Sequence, residues 1–150
     1  MNIEEITKEL KEIESKLLDQ NRWQSVELTR IWAKKQPNTA GVYMLFHDGV
    51  AVYVGETGKL SGRMTDMLDS RHHTVRRSIG EKYYFDQFGY AKATSKNKHP
   101  AHIELMVETH LKRFMLSVLA VPFGRKEVEE YIFEQHNPAL NRKSKRGGTD

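Results

Sequence analysis

Apolar residues along this chain follow three different periods. From Ile3 to Leu18 they recur in alternating steps of three and four (Ile3, Ile6, Leu10, Ile13, Leu17) among Glu and Lys, the stripe of an amphipathic helix. So short a stripe is weak as an independent coiled coil, so it predicts a helix docked on the domain, or else a homodimer contact. Trp23 to Ala33 predicts a second helix, with Trp23, Leu28 and Trp32 as its apolar contacts, ended by Gln36-Pro37-Asn38. The pattern then becomes two short, nearly continuous apolar runs, Val42 to Phe46 and Val50 to Val54, on either side of Asp48-Gly49, which is a β-hairpin signal.

Register decides what such a hairpin displays. A two-residue turn in an otherwise regular ladder would send Tyr43 and Tyr53 to opposite faces. A three-residue loop, His47-Asp48-Gly49 with Gly49 left-handed, pairs Phe46 with Val50, Met44 with Val52 and Val42 with Val54. One face is then wholly apolar, and the other carries Tyr43 directly opposite Tyr53. This second register is the expected one.

Beyond the hairpin, Gly55-Glu56-Thr57-Gly58 reads as a turn and Ser61 as a helix cap, with Arg63 in the first turns of the helix that follows. Helix dipoles repel cations at that end, so Arg63 needs another reason to be there, and a phosphate partner supplies one. The helix is expected from Arg63 to Ser70, with a break at Arg71-His72-His73 and a second short helix from Thr74 to Ile79, ended by Gly80. Arg71, Arg76 and Arg77 form a basic cluster that suits either a solvated charged face or contact with a DNA backbone. Lys82 to Tyr90 is rich in aromatics and reads as a strand or packed loop, and Ala91 to His99 as a polar loop. Pro100 opens a helix to about Lys112, Phe114 to Val121 is the remaining strand, and Lys126 to His136 is a last helix. Glu127, Glu129 and Glu130 all suit the start of that helix.

The 150 residues fit one domain with a real core. Residues 1–36 are expected as an N-terminal helical extension, 37–141 as the main domain, and 142–150, with Lys143, Lys145 and Arg146, as a flexible basic tail. A net charge of +4 permits an anionic partner without identifying one. Without cysteine there are no structural disulfides or thiolate zinc sites. No apolar stretch is long enough to span a bilayer and the start of the chain is acidic and polar, so an intracellular protein without membrane association is expected. His99, His102 and Glu104 or His110 lie near helical spacing for zinc, but surface histidines explain them adequately.

Gly41-Val42-Tyr43, Tyr53-Val54-Gly55 and Arg63 together resemble the signature of the GIY-YIG nucleases. The two tyrosines are ten positions apart (53 − 43), Arg63 is ten beyond Tyr53 (63 − 53), and Glu129 precedes Asn141 by twelve (141 − 129), as in that family. The resemblance implies an α+β fold, a small central antiparallel three-stranded sheet flanked by helices. It implies a DNA endonuclease with one Mg²⁺ (or Mn²⁺) held by Glu129, Tyr43 as general base beside Tyr53, Arg63 on a phosphate oxygen, and Asn141 and Gly55 in support. A phenol of pKa about 10 is a poor base at neutral pH, so Tyr43 needs cations such as Arg63 or Lys59 beside it. DNA contacts are expected from Arg71, His73, Arg76 and Arg77. Two departures stand out. Glu56 occupies a position where several members carry a Lys, which makes Lys59 the candidate replacement. Met67 occupies one where some carry a His, which leaves His72 and His73 as substitutes or as plain loop histidines. The alternatives are a non-catalytic nucleic-acid-binding module on the same fold and a dimeric scaffold whose tyrosines are core.

Overall fold

The computed structural model describes residues 2–142. The expected basic tail beyond Arg142 therefore lies outside the described residues. Helix α1 (Ile3–Leu18) occupies the expected span, with Asn2 accepting from the Glu5 N–H as its cap. Its stripe is buried progressively. Leu17 is fully enclosed and Leu10 and Ile13 pack partly on the core, whereas Ile3 is 81% exposed and Ile6 44%.

The helix expected over Trp23 to Ala33 is replaced by a 3-10 turn (Gln20–Arg22), strand β1 (Gln24–Ser25) and a short helix α2 (Arg30–Lys34). Tertiary pairing overrides the helical pattern here: Gln24 and Ser25 join Leu116 and Met115 across the sheet, while Thr29 accepts the Trp32 N–H and so starts α2 late. Trp23 stacks on Phe46, ring centroids 4.0 Å apart.

Strands β2 (Gly41–His47), β3 (Val50–Thr57) and β4 (Met115–Ala120) form the antiparallel body of a sheet ordered β1-β4-β2-β3, so the expected three strands gain a two-residue fourth at the edge. The hairpin departs from its expected register. His47 pairs with Val50 across a two-residue turn in which Asp48 (φ 51°) and Gly49 (φ 80°) are both left-handed. The ladder then shifts between Leu45 and Phe46, leaving Val52 as the extra residue of a β-bulge. Leu45 therefore opposes Tyr53, Met44 opposes Val54, and Tyr43 opposes Gly55. The bulge restores the parity that the short turn would have lost, so both tyrosines share a face by a route different from the expected one.

Both faces of the sheet are covered. Val42, Met44, Phe46 and Val54 pack with Leu17, Val121, Val128 and Ile132 beneath α1 and helix α6 (Arg125–His136). Tyr43, Leu45 and Tyr53 pack with Leu60, Met64, Val75, Ile79 and Ile103 from helices α3 (Leu60–Asp66), α4 (Thr74–Tyr83) and α5 (Ala101–Leu111). Two helix boundaries differ from expectation for identifiable reasons. Helix α3 starts at Leu60 with Ser61 inside it, because carbonyls of Thr39 and Pro37 accept the Leu60 and Ser61 N–H groups and no side-chain cap is used. Helix α4 continues through Gly80, whose missing Cβ admits the His99 ring; an added Cβ would lie 2.8 Å from that ring's Cε1. Among the described residues, no helix is long and apolar enough to cross a membrane.

Candidate active site

Tyr43 projects from the central strand β2 and Tyr53 from the edge strand β3, with ring centroids 5.9 Å apart and planes inclined by 30°. The Tyr43 ring lies across Gly55, where an added Cβ would sit 2.7 Å from its Cε1, so glycine is required by close approach. Each tyrosine is only 1% exposed.

The Tyr43 hydroxyl meets His73 Nε2 at 2.7 Å. The other ring nitrogen, Nδ1, accepts the Val75 N–H at 3.0 Å, capping α4. An accepting Nδ1 carries no proton, so in the neutral ring the hydrogen is on Nε2 and His73 is the donor to the Tyr43 oxygen. Burial, reinforced by Arg63, Arg77 and Arg76, pushes the His73 pKa well below its ordinary value, which keeps the ring neutral. Tyr43 moves the other way. Burial and then Tyr53 push its phenol pKa well above 10, and these outweigh the lowering by Arg63, which also hydrogen-bonds it. The resting phenol is therefore protonated. Tyr43 also lies within hydrogen-bonding reach of Tyr53, whose hydroxyl stands 3.3 Å from Thr74 Oγ1.

Arg63 sits on α3 beside these phenols, with Nη1 donating to the His72 carbonyl at 2.9 Å and to Asp66 Oδ2 at 3.2 Å. Asn141 clamps the outer edge of β3: its Nδ2 donates to the Val54 carbonyl and its Oδ1 accepts the Val54 N–H, both at 2.8 Å. The amide thus substitutes for a neighbouring strand at the residue between Tyr53 and Gly55. Glu129 is half-buried in the second turn of α6, one turn beyond Arg125 on the same helix face. Arg125 pairs with Glu56 of β3 at 2.7 Å, and α6 packs along that strand.

Other expected residues lie elsewhere. Lys59 is exposed at the start of α3, with its stem over Gly62. Glu56 is opposite Val42 on the face away from the tyrosines, where Arg125 neutralises it. Arg76 is corrected as a DNA contact, whereas Arg71 keeps a partly exposed side chain. Arg71 is engaged by Asp69 at 2.7 Å. Arg76 is buried against Glu104 at 2.9 Å, with a further bond to Ser70. Glu104 itself accepts from His99, Ser70 and Arg76, which bring its pKa down to about 2 against the cost of burial. His73, also expected at the DNA surface, is fully buried as the Tyr43 partner. The histidines weighed for zinc are engaged otherwise, and His99 and His110 are buried where surface histidines were expected. His102 reaches the Phe88 carbonyl and His110 the Tyr84 hydroxyl, and among the described residues no group of three or more His, Asp or Glu is placed to hold a metal.

Two site residues escaped the sequence reading. Thr74 had no local signal, and Arg142 was grouped with the tail. The half-buried Glu129 carboxylate is an oxygen ligand of the kind that Mg²⁺ takes.

No family model matches this chain, and no curated protein matches it. The solved structures it is similar to are of the GIY-YIG N-terminal endonuclease domain of UvrC from Thermotoga maritima. One, bound to magnesium as its catalytic divalent cation, is 18% identical, with 75% of this chain and 94% of that chain covered and a TM-score of 0.40. A point mutant bound to its catalytic divalent cation is 16% identical, over 76% and 94%, with a TM-score of 0.41. They bear the family name that the Tyr43, Tyr53 and Arg63 spacing resembles.

Proposed function

We propose that this chain is a divalent-cation-dependent DNA endonuclease that hydrolyses phosphodiester bonds. The observation that carries the reading is the convergence of two phenols, a neutral imidazole donor and a guanidinium at one edge of the sheet. Phosphodiester hydrolysis needs a base for the attacking water and positive charge around the phosphoryl oxygens. Tyr43 is the base. Because the resting phenol is protonated, it acts as a base only after releasing that proton to solvent. His73 Nε2–H and Arg63, already facing the oxygen, stabilise the phenolate, which then takes the proton of the attacking water and returns to the neutral phenol. Tyr53 is its hydrogen-bonding partner, and Arg63 also presents its planar fork to a phosphoryl oxygen. Mg²⁺ held by Glu129 would supply positive charge for the leaving 3′ oxygen. Asn141 positions Tyr53 through the backbone of Val54.

The second reading is a nucleic-acid-binding module that does not cut. The observation favouring it is the complete burial of a protonated Tyr43. Plasmid nicking in Mg²⁺ separates the two. The nuclease reading expects nicking that is lost in EDTA, in Tyr43→Phe and in Glu129→Ala, whereas DNA binding without nicking in the wild-type protein supports the module. The exposed Ile3 and Ile6 on α1 are the proposed homodimer contact, tested by the solution mass of Ile3→Ser/Ile6→Ser.

A further inference from the structure

Arg63 and Arg77 lie within electrostatic range of Tyr53, and Arg142 lies within range of Arg77. Arg63 comes from α3 and Arg77 from α4. Both hang on one loop: Arg63 Nη1 donates to the His72 carbonyl at 2.9 Å, and Arg77 Nη1 to the Ser70 and Arg71 carbonyls at 3.0 Å each. Arg142 follows Asn141, which clamps Val54, the residue next to Tyr53. The Arg142 Nη2 is enclosed and has no hydrogen-bond partner.

The neighbouring carboxylates are paired with arginines other than Arg77 and Arg142. Asp66 pairs with Arg63, Asp69 with Arg71 and Lys98, and Glu104 and Glu108 with Arg76. Among the described residues neither Arg77 nor Arg142 has an ion pair, and both lie within electrostatic range of each other. Burial, then Arg142, then Arg63 lower the Arg77 pKa, the response of a cation that is crowded by its own kind. Enclosing unpaired like charges is costly, and an anion relieves it.

We infer that Arg77 and Arg142 form a second phosphate subsite beside Tyr53, holding the phosphodiester next to the one that Arg63 addresses. The identity of the ligand as a nucleic-acid strand rests on the endonuclease reading, while the anion subsite itself rests on Arg77 and Arg142. A strand held at two consecutive phosphates has its scissile bond fixed in both position and direction across the phenols. Arg77 and Arg142 are accordingly positioning residues.

The test uses the full chain and two readouts. In the first, inorganic phosphate is titrated against thermal unfolding of the wild type, Arg142→Gln, Arg77→Gln and Arg77→Lys. The wild-type midpoint should rise with phosphate, the rise should shrink in both Gln variants, and Arg77→Lys should keep most of it. Arg142→Gln breaks no hydrogen bond at Nη2, so it serves as the test variant even if Arg77→Gln loosens α4. In the second, binding of a short DNA duplex is followed against salt. Each Gln variant should flatten the slope of log affinity against log salt by about one. Nicking by these variants should show a raised KM with kcat much less affected.

Phosphate stabilisation and salt slopes equal to wild type in Arg142→Gln would overturn the subsite. Phosphate stabilisation that is present in the wild type and shrinks in both Gln variants, in a protein whose wild type never nicks DNA, would remove the endonuclease reading and leave the subsite standing.

Discussion

Replacing His73 by leucine tests the hydrogen-bond assignment on which the site depends. The substitution leaves the buried Val75 N–H without its acceptor and takes one donor from the Tyr43 oxygen. An orphaned buried donor costs about 1–3 kcal/mol and a lost hydrogen bond about 1, so the variant should be destabilised by roughly 2–4 kcal/mol. pH separates this from a packing defect. The folded-state pKa of His73 lies well below the value of about 6.5 that the unfolded chain restores. Above about pH 6.5 the ring is neutral in both states and adds no pH dependence. Below it, the unfolded chain binds a proton that the folded one refuses. Stability then falls by up to about 1.4 kcal/mol per pH unit until the folded pKa is reached. His73→Leu should lack that component. His110, also lowered chiefly by burial, slopes in the same direction in both proteins, so the difference between them belongs to His73. Urea unfolding at intervals between about pH 5 and 7.5 measures it. Identical slopes in the two proteins would mean that His73 is not held neutral, and the donor assignment to Tyr43 would fall.

Gly55→Ala should place a methyl against the Tyr43 ring and cost about 1–3 kcal/mol in overpacking, with nicking reduced by about 10²-fold because the phenol must shift; denaturant melts and plasmid nicking read both. Asn141→Ala should unclamp β3 at Val54 and cost about 2–4 kcal/mol, with increased amide exchange at Val54 as the local signature. Glu104→Gln should leave buried Arg76 with only Glu108, at 3.9 Å, as its charge partner, destabilising by up to about 3 kcal/mol with little effect on the affinity for phosphate. Arg71→Gln should leave the melting midpoint close to that of the wild type, because the Arg71 side chain lies at the surface.

The parts of this fold that the sequence reveals are those in which a local pattern and the tertiary outcome agree. The stripe from Ile3 to Leu17 gives α1 with both its ends. The run from Phe114 gives β4, and Pro100 gives the start of α5. Failures occur where distant partners decide. The Trp23 to Ala33 pattern gives way because β4 recruits Gln24 and Ser25, and Gly80 is read as a helix stop when His99, nineteen residues away (99 − 80), is the reason for the glycine. The hairpin is the instructive case. Asp48-Gly49 signals the short turn correctly, but nothing local marks Val52 as a bulge, so the shared face of Tyr43 and Tyr53 follows from parity while their partners do not. In the site, Tyr43, Tyr53 and Arg63 are legible by spacing, and Glu129 by spacing alone. The cluster of Arg71, Arg76 and Arg77 looks uniform in sequence. Only the surrounding carboxylates show that two of the three are already engaged and the third faces the phenols. His73 was visible as a histidine close to Arg63, but its burial and its tautomer are set by the α4 backbone.

The central claim, that these phenols do chemistry on a phosphodiester, is tested most directly by single-turnover nicking of supercoiled plasmid in Mg²⁺ by wild type and Tyr43→Phe. Removal of one oxygen should lower the rate by at least about 10²-fold while leaving the melting midpoint within a few degrees. Equal rates in the two proteins would contradict it.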